Sequence, residues 1–407
     1  MNNKHSTYAH YQFKRRILWI IPIVLDTDIY AKSVLDILRY TVNRGHSVKL
    51  VAMRSRNLPM KERLHNFDAF PLRRAPLVSN FFFAMLVFLT LPFYIITYRP
   101  NFILTTPDLS FLSIIPHIFI SKLSRIKLVL DIRSTPVETI GLRGAMRKFV
   151  FSMSITLAKQ LLDGMTTITP MMRREICSQY NLRNKRVGIW SVGVSKDLFD
   201  PEKNVSEGRE LKAALGLSQK FVILYHGTLT ATRGLIEVVQ AIKLLIPKHP
   251  DIVFLLLGTG SIVSALRRIV QNQELENNVL IHDPVNQNEV PKFISACDTG
   301  IVPLPNNILW RAQCPLKLLE YLAMAKVVLV TDIPAHRSVI GKKECGKYIL
   351  SSKPEDIAES IDFLYKRRTN LQKWGKLGRI LVQNEYTWEK AAEDLEHYLL
   401  SVENKTY

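Results

Sequence analysis

The stretch CPLKLLEYLAMAKVVLVTDIPAHRSVI, Cys314 to Ile340, decides the fold: a short apolar-faced helix runs directly into an unbroken run of branched aliphatic residues. Pro315 suits a first helical position, where no N–H is needed, and Leu316, Leu319, Tyr321, Leu322 and Met324 line the following turns. Val327 to Thr331 then reads as a strand buried on both faces, as in a parallel sheet. Lys317 and Glu320 are three apart and share one helix face. A helix start carries unpaired N–H groups and the positive end of the dipole, so a diphosphate would fit beside Lys317. Glu320, one turn deeper, offers two acceptor oxygens that match a vicinal diol such as a ribose. The same spacing also fits an ordinary amphipathic helix with an i, i+3 ion pair.

Upstream, two more turns fall at the same expected sheet edge. Strand Phe221 to Tyr225 ends in His226-Gly227-Thr228 before a helix from Leu235 to Leu245, and strand Ile252 to Leu257 ends in Gly258-Thr259-Gly260. Glycine where strand gives way to helix lets a ligand approach the backbone, and ligands of open α/β sheets bind at the carboxyl ends of strands. Arg233 precedes the Leu235 helix and can reach a phosphate. Val279 to Ile281 and Gly300 to Pro303 continue the strands, with helices at Glu289 to Ala296 and Pro315 to Ala325, and Thr387-Trp388-Glu389 opens a last helix to Leu400.

The first half has the same β-α rhythm. Strands are expected at Ile17 to Leu25, Ser47 to Met53, Phe67 to Leu72, Phe102 to Thr106, Lys127 to Leu130, Gly164 to Thr169 and Arg186 to Val192. Helices are expected at Tyr30 to Asn43, Leu109 to Leu123, Met146 to Leu161 and Pro170 to Gln179. The loop Pro22 to Tyr30 has no glycine, so the G-x-G-x-x-G dinucleotide fingerprint is absent and an NAD-dependent dehydrogenase is disfavoured. Asp131 follows the Lys127 strand at its carboxyl end, a place for general-base or electrostatic work and equally for a helix cap.

The expected class is therefore α/β, with two Rossmann-like domains facing across a cleft. The boundaries are a basic first domain over 1–194, a linker over 195–220, a second domain over 221–385, and a C-terminal helix over 386–407 crossing back towards the first.

Charge separates the halves. The chain of 407 residues carries a net +20, of which residues 1–200 hold +17 (29 Lys/Arg against 12 Asp/Glu) and the remainder +3 (26 against 23). A field concentrated in one half draws a polyanion, such as anionic lipid headgroups. Ala75 to Tyr98 is uncharged over 24 residues, long enough to cross a bilayer. Flanking strands in one sheet argue instead for a helix lying on the domain, with residues 75–98 touching the membrane surface beside Arg73, Arg74 and Arg99. The opening Lys14-Arg15-Arg16 before an apolar run lacks a small-residue cleavage site and is read as strand rather than signal peptide. Cys177, Cys297, Cys314 and Cys345 form no C-x-x-C pair, so no zinc site or disulfide framework is indicated and a reducing compartment is the default. No nucleic-acid recognition motif accompanies the basic half.

From Val187 to Leu400 the chain resembles the GT-B glycosyltransferases of retaining family 4, the glycosyl transferases group 1. The matching pieces, in the family's order, are Ser191-Val192-Gly193-Val194 with Phe199-Asp200-Pro201, His226-Gly227-Thr228, Arg233-Gly234, Gly258-Thr259-Gly260, Ala296-Cys297-Asp298 before Val302-Pro303, the helix Pro315 to Ala323, and Thr387-Trp388-Glu389. The resemblance implies transfer of a sugar from a nucleotide-sugar donor to a glycan or lipid-linked acceptor in cell-surface polysaccharide or glycolipid synthesis, with retention. Implied catalytic residues are Asp131, Arg233 and Lys317; implied donor-binding residues are Gly227, Thr228, Arg233, Gly258, Gly260, Lys317 and Glu320. Arg233 and Lys317 would hold the diphosphate and Glu320 the ribose, and no metal or other cofactor is expected. The protein would be cytoplasmic and peripherally attached to an anionic membrane.

Three departures stand out. The family's second glutamate, eight residues before the ribose-binding one, is Ala312 here, leaving Asn307, Arg311 or Gln313 to read the sugar. Thr228 and Arg233 stand where the family often has arginine and lysine. Ala325 and Val327 replace the usual glycine and proline after the helix. Two other readings follow: a nucleotide-sugar epimerase of the same architecture, which would convert its donor without an acceptor, and a catalytically degenerate scaffold subunit, motivated by Ala312 and Thr228.

Overall fold

The protein is described from a computed structural model covering residues 14–25, 31–54, 67–71, 78–136, 141–183, 186–314 and 316–405. It divides into two compact units, one of residues 1–167, 173–190 and 391–407, the other of residues 168–172 and 191–390.

The first unit is built on β1 (Arg16–Val24), β2 (Ser47–Arg54), β3 (Phe67–Pro71), β4 (Phe102–Thr105), β5 (Lys127–Ile132), β6 (Gly164–Thr167) and β7 (Val187–Ile189). They form one parallel sheet in the order β3-β2-β1-β4-β5-β6-β7. The order reverses at β1, as in doubly wound sheets. Ile17 to Ile20, Ile103, Leu104 and Leu128 to Leu130 are all buried, which is why these strands read as continuous apolar runs. Helices α1 (Ala31–Asn43), α2 (Val78–Thr97), α3 (Leu109–Ile114), α4 (Ile118–Leu123), α5 (Gly141–Leu161) and α6 (Pro170–Tyr180) connect them. The single helix expected over Leu109 to Leu123 is broken into α3 and α4 by a 3₁₀ turn, Ile115–His117, with Pro116 in it.

The second unit carries β8 (Phe221–His226), β9 (Ile252–Leu257), β10 (Val279–His282), β11 (Thr299–Val302), β12 (Val327–Thr331) and β13 (Gly346–Ile349), a parallel sheet in the order β10-β9-β8-β11-β12-β13. Its helices are α7 (Val205–Ala214), α8 (Leu235–Leu245), α9 (Val263–Asn272), α10 (Val290–Ala296), α11 (Leu316–Ala323), α12 (Pro334–Ile340), α13 (Pro354–Lys366), α14 (Leu371–Glu385) and the start of α15 (Trp388–Asn404). Both residues bracketing the β8-to-α8 connection, Tyr225 and Leu235, are buried in the core this sheet makes with α8, α9 and α13.

One boundary differs from the sequence reading. The segment 195–220 is not a loose linker: it belongs to the second unit and contains α7, where Gly208 lies so close to Ser295 of α10 that any side chain would collide. From Ala391 onward α15 is part of the first unit. There Tyr398 accepts from the Met165 N–H at 2.9 Å and donates to the Arg186 carbonyl at 2.7 Å, and Glu403 pairs with Arg15 at 2.9 Å.

Candidate functional site

The candidate site lies at the carboxyl edge of the second sheet, where β8 and β9 end and α11 begins. Pro315 falls outside the described residues. Lys317 and Glu320 stand on α11, and both are almost fully buried. The Lys317 Nζ has no hydrogen-bond partner among the described residues; it lies 3.7 Å from the centre of the Tyr225 ring. Burial lowers its pKa well below the usual lysine value, and the charge of Arg233 pushes the same way while Glu320 opposes. Burial also pushes the Tyr225 phenol up to about 12. Its hydroxyl donates to the Thr228 carbonyl at 3.1 Å, so the turn after β8 is tied to the ring that carries the lysine.

The three turn glycines have different jobs. At Gly227, φ is +114°, and a side chain would sit 3.3 Å from Lys317 Nζ, so the missing side chain lets the turn lie close over the buried ammonium. A side chain at Gly258 would run into the Gly227 carbonyl, and one at Gly260 into the Leu229 carbonyl. Both are required because the turns after β8 and β9 are stitched together. Gly227 N–H donates to Leu257 O and Leu229 N–H to Thr259 O, each at 2.9 Å.

His226 ends β8, with its Nε2 3.3 Å from Glu320 Oε2 but off hydrogen-bond geometry. Burial, reinforced by Lys317, lowers its pKa to about 3, so the imidazole is neutral at physiological pH. Its backbone N–H donates to the Tyr321 hydroxyl, which in turn donates to the Leu224 carbonyl at 2.8 Å. Through this pair of bonds Tyr321 fixes α11 against β8.

Arg233 ends a 3₁₀ turn, Ala231–Arg233, before Gly234 at φ +71°. Its guanidinium lies 4.6 Å from the centre of the Trp310 ring, and its buried Nε has no hydrogen-bond partner among the described residues. Trp310 is itself held by a 2.8 Å bond from its indole N–H to the Thr232 carbonyl. The structure thus gathers Arg233, Lys317, Glu320 and Gly227 into one cluster. Tyr225 and Trp310, the aromatic seats of the two cations, were not singled out from the sequence, because buried aromatics are usually plain core.

Asp131 is the exception among the candidate residues. Strand β5 runs to Ile132, so Asp131 lies within the strand opposite Thr166 rather than in the loop beyond it, and it has no exposed surface. Its Oδ1 accepts from Thr166 Oγ1 at 2.7 Å and from the Trp190 indole at 3.1 Å. Burial raises its pKa. Asp131 is therefore a core carboxyl inside the strand rather than a loop residue beyond it, and it holds Trp190, whose ring also carries the Arg133 guanidinium at 3.5 Å.

Ala312 is buried and its carbonyl accepts from Thr169 Oγ1 at 2.7 Å. Asn307 accepts from the Leu309 N–H, turning the loop that leads to Trp310. Ala325 has φ +53°, the left-handed conformation in which glycine is favoured. Among the described residues no group of three or more His, Cys, Asp or Glu side chains is placed to hold a metal ion.

Comparison with known proteins meets this site directly. Residues 208–380 match the model of the glycosyl transferases group 1 family. The chain is 24% identical over 252 residues to the D-inositol 3-phosphate glycosyltransferase of Arthrobacter sp. (strain FB24), covering 60% of this chain and 58% of that protein. It is 26% identical over 218 residues to the putative teichuronic acid biosynthesis glycosyltransferase TuaH of Bacillus subtilis (strain 168), covering 53% of this chain and 51% of that one. The chain thus spans between half and three fifths of those relatives' length. The crystal structure of Anabaena HepE in complex with UDP superposes with a TM-score of 0.71 at 14% identity, covering 95% of this chain and all of HepE. That likeness shows the fold: α/β, of the GT-B type, with two Rossmann-like units.

Proposed function

We propose that this chain is a glycosyltransferase that moves a sugar, with retention, from a nucleotide-sugar donor to a glycan or lipid-linked acceptor in cell-surface polysaccharide or glycolipid synthesis. The observation that carries the reading is a pair of neighbouring cations, Lys317 and Arg233, each with a buried donor atom that has no hydrogen-bond partner among the described residues, with the Gly227 turn close over Lys317. Two like charges held together away from water are costly unless an anion joins them. A diphosphate supplies both the charge and the acceptors, and Glu320 lies one turn further along α11 to accept from a ribose.

In this reading Arg233 and Lys317 stabilise the charge that develops on the departing nucleoside diphosphate, with no metal required. Thr228 and Gly227 form the near wall, and the Gly258 and Gly260 turn supports it from behind. The group 1 match and the UDP held by HepE support the donor class. Four cysteines, none of them in a disulfide among the described residues, suit a reducing, cytoplasmic setting.

A thermal-shift screen of nucleoside diphosphates and their sugars tests the reading. A diphosphate-dependent rise in melting temperature for wild type, lost in Lys317→Ala, is expected; no stabilisation by any member of the series overturns it. Incubation of labelled nucleotide sugars with and without acceptor separates transfer from epimerisation, since an epimer formed without acceptor belongs to an isomerase.

A further inference from the structure

We propose that the outward face of α2 and α4, together with the basic groove at its end, is a docking surface for an anionic phospholipid bilayer. Helix α2 buries one stripe against its own domain, Ser79, Phe83, Val87, Leu91, Tyr94 and Ile95. At 100° per residue that stripe lies opposite Phe81, Met85, Phe88, Leu89, Phe93 and Ile96. All six are exposed, with Leu89, Phe93 and Ile96 each more than 60% accessible. Helix α4 extends the face. His117, in the turn leading into α4, bonds the Phe88 carbonyl at 3.0 Å and packs against its ring at a tilt of 42°, and Phe119, Ile120 and Leu123 are exposed on α4, Phe119 at 77%. Apolar surface of this extent on two adjacent helices is a binding site rather than scattered surface hydrophobics.

The topology fixes how a bilayer meets it. The α2 helix is long and apolar enough to cross a membrane. Yet β3 before it and β4 after it are strands of one hydrogen-bonded sheet, and that sheet cannot lie on both sides of a bilayer. The helix can therefore only lie in the interface, outward face down.

The rim chooses the occupant. Where α2 and α4 end side by side, a groove of about 480 Å³ is lined by Arg16, Ile96, Arg99, Asn101, Ile120 and Ser124. Two arginines and two isoleucines sharing one groove match a phosphodiester headgroup with its acyl chains directed along the apolar face. Lys122 and Arg125, both exposed, continue the positive edge. The inference is independent of the donor chemistry, since every residue it uses lies in the first unit and the nucleotide cluster lies in the second.

The test is co-sedimentation of the full chain, without nucleotide or acceptor, with phosphatidylcholine vesicles and with vesicles containing about one quarter phosphatidylglycerol. Expected is binding to the anionic vesicles that weakens as salt rises. Leu89→Glu with Phe93→Glu, and separately Arg16→Glu with Arg99→Glu, should each reduce it by about tenfold or more at unchanged melting temperature. If the glutamate pair lowers the melting temperature, Leu89→Ser with Phe93→Ser tests the same face without added charge. No binding to the anionic vesicles overturns the proposal, as does binding indifferent to both pairs of substitutions. It also fails if the wild type dimerises through this face, shown by sedimentation equilibrium in which the Leu89/Phe93 pair restores a monomer. Failure here leaves nucleotide binding at Lys317 untouched, and failure there leaves vesicle binding untouched.

Discussion

Lys317 holds its ammonium 3.7 Å above the centre of the Tyr225 ring, with no hydrogen-bond partner among the described residues. The ring's negative face replaces part of the lost hydration, and a cation so placed is worth more to a ligand than to the fold. Replacing it by methionine, which keeps the stem and removes the charge, is expected to leave the melting temperature unchanged or raised. The same change should weaken nucleoside diphosphate binding by about 2 kcal/mol, roughly thirtyfold in Kd. Calorimetric titration of both proteins checks the pair of outcomes; a stability loss with unchanged affinity would make Lys317 a structural residue.

His226 sets the acid limit. Its folded pKa of about 3 lies below the ordinary 6.5, so between these values the unfolded chain binds a proton that the folded chain refuses. Stability is then complete above pH 6.5 and is lost as pH falls towards 3, with a slope of up to about 1.4 kcal/mol per pH unit from this residue. His336, also buried and lowered to about 4, adds to the same slope. Urea unfolding between pH 7 and 4.5 should show a shallower dependence in His226→Gln than in wild type, and identical slopes would refute the assignment.

Trp310 is expected to act through Arg233. Trp310→Ala removes both the surface under the guanidinium and the bond to the Thr232 carbonyl, so Arg233 loses its fixed direction. Nucleotide affinity should fall by about 1 to 2 kcal/mol. Trp310→Phe, which keeps a ring but not the indole N–H, should recover part of that loss. Equal affinities for both variants would show that stacking contributes nothing.

How much of this was legible in the chain depended on whether a residue's chemistry or its surroundings carried the signal. The β-α rhythm was legible because strands buried on both faces must be apolar throughout, and β9 and β12 fall on the residues expected. That Lys317, Glu320 and Arg233 come together was legible because Lys317 and Glu320 share one face at a helix start and Arg233 follows a glycine turn at the same sheet edge. The strand β13 was missed: Gly346–Ile349 has a glycine and a lysine among its four residues and too little apolar run to stand out. Asp131 was misplaced by two residues of strand, enough to turn a loop acid into a core one. The glycine turns were read as one class, but only contacts from the other turn separate Gly227 from Gly258 and Gly260.

That separation makes a final prediction. Gly260→Ala drives a methyl into the Leu229 carbonyl, which is itself bonded to the Ile262 N–H, so the two stitched turns must part. A backbone clash of this kind in a close-packed turn is expected to cost about 1 to 3 kcal/mol of stability. Nucleotide affinity should follow only through the folded fraction. At Gly227 the neighbour is a flexible lysine end rather than backbone, and the strain there comes from φ +114°. Gly227→Ala should therefore weaken nucleotide binding at protein concentrations and temperatures where the fold is intact, because its methyl occupies the space above Lys317 Nζ that the anion needs. Chemical denaturation and titration of the two variants side by side decide the matter. If Gly227→Ala binds nucleotide as wild type does, the Gly227 side of Lys317 is not where the diphosphate enters.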